Sequence, residues 1–63
     1  MVEYGRKWEI KTAEDYRLAV ETLENDEWIA MMGEGVEMFR REMAEIRRQR
    51  ADIDTQARKQ GII

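Results

Sequence analysis

Glu42 and Glu45, three residues apart, and Asp52 and Asp54, two apart, are the carboxylate pairs whose spacing could serve acid–base or metal chemistry. On a helix, Glu42 and Glu45 would share one side, and hard cations favour such oxygen ligands. A site made of carboxylates alone is rare in a small chain, and this one contains no Ser, Cys or His. The common nucleophile–base pairs therefore cannot be assembled. The imidazole and thiolate ligands of zinc, iron and copper are also missing. The expectation is a protein with no catalytic residues, no metal and no cofactor. Tyr16 is read as core.

Gly33-Glu34-Gly35 could suggest a phosphate-binding loop. However, its middle residue puts a carboxylate where a phosphate would sit, and no Lys-Ser or Lys-Thr pair follows. Arg40, Arg41, Arg47, Arg48 and Arg50 form the densest basic run, in "RREMAEIRRQR". They are candidates for contact with nucleic acid or an acidic protein surface. The competing reading is a solvated flank paired at i,i+4 through Glu37–Arg41, Arg48–Asp52 and Asp54–Arg58. Residues 1–39 carry a net charge of −6 and residues 40–63 of +3, giving −3 in total. Opposite charges at the two ends would also permit stacking of copies.

A chain of 63 residues forms one domain and buries only about 60% of its unfolded surface, so it needs a supplement. With no cysteine or histidine, association with another chain is the supplement left. The lack of cysteine fits a reducing, cytoplasmic setting. The opening Met1-Val2-Glu3 does not start a signal peptide, and no apolar run is long enough for a membrane span.

In residues 1–11, Val2, Tyr4, Trp8 and Ile10 alternate with polar residues, which predicts an extended arm or short strand. Arg6 interrupts the apolar face. Thr12 with Asp15 resembles a capping box, and Tyr16, Ala19, Val20 and Leu23 share a helical face. Asn25-Asp26 offers a stop followed by a start, and the apolar series restarts at Ile29 and Met32. This predicts a first helix over 12–25, a hairpin turn, and a second helix over 27–60.

The second helix carries the clearest pattern. Ile29, Met32, Val36, Phe39, Met43, Ile46, Arg50, Ile53 and Ala57 alternate in steps of three and four, a heptad seam. Because Met32 to Val36 keeps the step across the glycines, the helix is expected to continue through Gly33 and Gly35 at about 1 kcal/mol each. These small residues would flank the seam and admit a close neighbour; a kink or loop there is the alternative. The fold class is thus mostly α: an arm, then a helical hairpin with a short first helix and a long, coiled-coil-like second helix.

Helices of about 20 Å and 50 Å follow from these spans. The short helix would leave Met43, Ile46, Arg50 and Ile53 overhanging, a candidate partner-binding surface together with Gly33, Gly35 and Phe39. In a parallel pair of copies, Glu42 would face Arg47 of the other chain. The functional expectation is a non-enzymatic interaction or assembly module: a homo-oligomer, a subunit of a larger protein assembly, or a protein inhibitor. Small accessory proteins of phages and mobile elements have this size. The alternative is a small dimeric nucleic-acid-binding protein. In element order alone, strand–helix–helix resembles the ribbon-helix-helix DNA-binding dimers, whose paired strands enter the major groove. That resemblance implies Glu3, Lys7, Glu9 and Lys11 as the outward strand residues. The turn "ENDEW" lacks the Gly-x-Ser/Thr entry expected there.

Overall fold

A computed structural model describes residues 2–33 and 35–63; Met1 and Glu34, at the opening segment and within the glycine pair, lie outside the described residues. Two helices, α1 (Ala13–Met32) and α2 (Val36–Lys59), pack against each other as a hairpin. Its long dimension is 38 Å.

The start of α1 follows its sequence. Thr12 is the N-cap, its hydroxyl accepts from the Asp15 N–H, and the Asp15 carboxylate accepts from the N–H groups of Lys11 and Thr12. This reciprocal arrangement satisfies amides that the first turn otherwise leaves open.

The turn lies elsewhere than predicted. Asn25 and Asp26 do not break the chain; α1 runs through them for 20 residues and stops at Gly33. Ala19, Leu23, Asp26 and Ala30 are buried in steps of three and four, so one face continues unbroken. Asp26 turns sideways to Arg6, with Nη1 and Oδ2 3.6 Å apart, instead of capping a new helix. The glycines end the helix that they were expected to extend. The Gly33 N–H bonds back to the Ala30 carbonyl at φ −73° and ψ 165°, and Gly35 adopts φ +95° before α2 begins. The latter is a region that side chains other than glycine rarely enter.

The predicted length mismatch disappears with that change. Helices of 20 and 24 residues are about 30 and 36 Å long, so α1 accompanies α2 along most of its length. The overhanging seam is therefore not present. Ile46 and Ile53 are buried within the chain, and Met43 packs partly against the same core as Ala19, Leu23 and Ala57. The C-terminus of α2 closes on itself. Gly61 at φ +75° lets its own N–H reach the Arg58 carbonyl and the Ile62 N–H reach the Ala57 carbonyl, while Ile62 folds onto the core.

Val2 and Ile10 of the arm belong to that core, and Trp8 packs against it. The arm forms no strand among the described residues. Gln56 takes the place of a neighbouring strand. Its Nε2 donates to the Trp8 carbonyl at 2.7 Å and its Oε1 accepts from the Ile10 N–H at 2.8 Å. One side-chain amide thus spans the two groups that a parallel strand would span around Glu9. Gln49, fully buried, donates to the Glu3 carbonyl and accepts from the Trp8 indole. The Gly5 N–H donates to Glu45. The spans agree: five extended residues from Gly5 to Ile10 cover about 17 Å, as do eleven helical residues from Glu45 to Gln56. Gln56 thus occupies one edge of the arm, and the described residues include no strand of the kind that the ribbon-helix-helix resemblance implies.

Candidate interaction surface

Arm, α1 and α2 close a core only over part of the hairpin. Arg6 stacks over Trp8, 5.1 Å from the ring centroid, and reaches Asp26. Buried Asp26 and Glu42 lie toward the turn from Leu23 and Ile46. Beyond them the interior holds little more than Ala30 among the described residues. The large apolar side chains of that end point outward. Trp28, Ile29, Met31, Met32, Val36, Met38 and Phe39 are exposed, Met32 by 70% and Val36 by 65%. Clustered within one turn-and-a-half on either side of Gly33 and Gly35, they form an apolar tip of a kind that marks a docking surface. Methionine adds adaptability, because its unbranched thioether fits varied partners.

A cleft of about 260 Å³ runs along the side of the hairpin, lined by Leu23, Glu24, Glu27, Met43, Ile46, Arg47 and Arg50. Helical spacing aligns Val36 and Phe39 with Met43 on its α2 side. A second, shallower depression joins Glu24 and Glu27 to Trp28 and Met31. The cleft walls differ in charge: α1 carries one basic and six acidic residues, α2 seven basic and five acidic.

The residues singled out from the sequence are distributed across both regions. Phe39, Gly33 and Gly35 sit at the tip, Met43 and Arg50 line the cleft together with the largely buried Ile46, and Ile53 is wholly interior. Among the arginines, Arg48 is held by Glu45 (2.6 Å) and Arg50 by Asp54 (3.2 Å), whose carboxylate also accepts from the Tyr16 hydroxyl. Arg48 thus pairs back to Glu45, not forward to Asp52, and no Glu37–Arg41 or Asp54–Arg58 pair forms among the described residues. Arg40, Arg41 and Arg47 stand exposed with no carboxylate at ion-pair distance among those residues.

Of the two carboxylate pairs, Glu45, Asp52 and Asp54 accept hydrogen bonds from within the chain. Glu45 accepts from Arg48, Gln49 and Gly5, and these donors, Arg48 foremost, hold its carboxyl down from 4.5 to about 2. Asp52 lies beside the Gln56 amide. No group of three or more metal-ligating side chains occurs among the described residues.

Sequence reasoning missed two things here. Glu42, Glu45, Gln49, Asp52 and Gln56 repeat in steps of three and four, a polar stripe beside the apolar one, and three of them bind the arm. The available signal was that heptad-spaced amides can satisfy an unpaired backbone. Likewise, Ile29 and Met32 were out of phase with Tyr16, Val20 and Leu23 because they face outward, not because the helix restarts. Comparison with protein-family models, curated proteins and solved structures gives no match.

Proposed function

We propose that this chain is a non-enzymatic protein–protein interaction module that docks through the apolar tip of its hairpin. The observation that carries this reading is the concentration of seven exposed large hydrophobic residues between Trp28 and Phe39. Fully burying such a side chain is worth about 1.5–3 kcal/mol, against which the entropy lost on association must be set. The test is the double substitution Met31→Glu with Phe39→Glu, followed by thermal unfolding and by binding of anilinonaphthalene sulfonate, a dye that fluoresces on apolar surface. The expected result is an unchanged unfolding midpoint with dye binding lost. A collapse in stability would identify the tip as core, and dye binding equal to the parent's would put the docking surface elsewhere.

A second reading rests on Arg40, Arg41 and Arg47, three exposed guanidinium groups with no ion pair among the described residues. It is an anionic partner, nucleic acid included. Binding of an oligonucleotide that falls steeply with salt, and is lost in Arg40→Glu with Arg47→Glu, would favour it over the apolar tip.

A further inference from the structure

We propose that the occupant of the tip and cleft is a second copy of this chain, related by a two-fold axis parallel to the helices, with both tips at the same end. This deepens the docking reading above and rests on it. The argument is charge complementarity. Glu24 and Glu27 of α1 and Arg47 of α2 line the same cleft, are exposed, and form no ion pair with one another. Opposite charges are thus set out on the two walls of an apolar-floored cleft without neutralising each other.

The hairpin register then selects the geometry. The Tyr16 hydroxyl bonds to Asp54, so residues whose numbers sum to about 70 lie side by side. Glu24 and Arg47 differ by one residue along the axis, a displacement of about 1.5 Å. A two-fold axis parallel to the helices preserves height and exchanges the walls, so Glu24 of one copy meets Arg47 of the other, twice per dimer. The alternative axis, across the helices, sets α1 against α1 and brings acid to acid. With the tips together, each helix also runs antiparallel to both neighbours, as in up-down four-helix bundles, and helix dipoles oppose favourably. Val36, Phe39 and Met43 of both copies meet beside the cleft, which gives the pair its apolar contact; the charges choose the orientation.

The experiment is sedimentation equilibrium of the full chain over a concentration series, with Glu24→Arg, Arg47→Glu and the double variant. Spin-label distance measurement on Gly33→Cys accompanies it. The chain has no native cysteine, and a β-carbon at Gly33 meets only ordinary contacts of 3.4 and 3.6 Å. The expected result is a dimer weakened about tenfold by either single substitution and restored by both. The label separation should be within about 20 Å, two helix spacings. A monomer at every concentration overturns the proposal while leaving the dye test of the tip to stand or fall alone. A separation near the 38 Å length of the hairpin, or a dimer tightened by Glu24→Arg, overturns it in favour of the crossed arrangement.

Discussion

At the level of Ile53, α1, α2 and the arm enclose a side chain that solvent does not reach; at the level of Met32, the same chain leaves an apolar side chain of similar size 70% exposed. Both regions are helical and both are rich in apolar residues. They differ in the number of layers. Near Ile53 the arm supplies a third element, fastened by Gln49 and Gln56, and three elements can surround a stripe that two cannot. The described arm covers α2 from Glu45 to Gln56, and the tip has two layers only. In a chain this small the core ends where the third layer ends, and apolar residues beyond it become surface.

The sharpest way to break this comparison is one truncation in each region, read by chemical denaturation. Ile53→Ala should cost about 2–5 kcal/mol, enough to unfold much of a marginal domain. Met32→Ala should stay within about 0.5 kcal/mol. Equal losses would show that the tip is packed like the base. Next in size is the arm's attachment. Gln56→Ala strips partners from the Trp8 carbonyl and the Ile10 N–H and should cost about 1–3 kcal/mol, with a change in Trp8 emission. An unaltered midpoint would mean that the arm is not a structural layer.

The turn itself separates its two glycines. Gly35→Ala should cost about 1–3 kcal/mol through backbone strain alone, because among the described residues nothing lies within 4 Å of an added β-carbon. Gly33→Ala, at φ −73°, should be close to neutral. If both are neutral, the position of the turn is not fixed by Gly35. The smallest effect is the acid response of the base. The Glu45 carboxyl is held at about 2 against 4.5 when free, so its contribution is complete above pH 4.5 and is lost as pH falls from there toward 2. Glu45→Gln should flatten this part of the profile of unfolding midpoint against pH. Tip variants should leave it unchanged.

Much of the base was legible from the sequence. The capping box at Thr12 and Asp15 depends on residues three apart, and the stripe from Met43 through Ile46 and Ile53 to Ala57 depends on helical period. Both are local, and both appear in the folded chain. The arm's apolar contribution from Trp8 and Ile10 was readable from period two. Its fastening was not, because Gln49 and Gln56 lie about forty to fifty residues away and their role exists only once the arm reaches them. Arg6 looked like a flaw on an apolar face until Asp26, a matching flaw on another, came within 3.6 Å.

By itself, then, the sequence determined two amphipathic helices, a hairpin, and a chain with no Ser, Cys or His. Local spacing and residue chemistry decide those matters without reference to distant contacts. Tertiary structure decided where the hairpin turns. Asn25-Asp26 and Gly33-Glu34-Gly35 are both credible breaks by local propensity, and the heptad step from Met32 to Val36 passes over the glycines as easily as through a helix. With the turn at the glycines, Tyr16 meets Asp54, Asp26 meets Arg6, and Ile46 and Ile53 are covered by α1 and the arm. A turn at Asn25 would leave both isoleucines in water. That choice also determined which apolar residues were left over at the tip, because burial is settled by which elements meet and not by hydrophobicity alone.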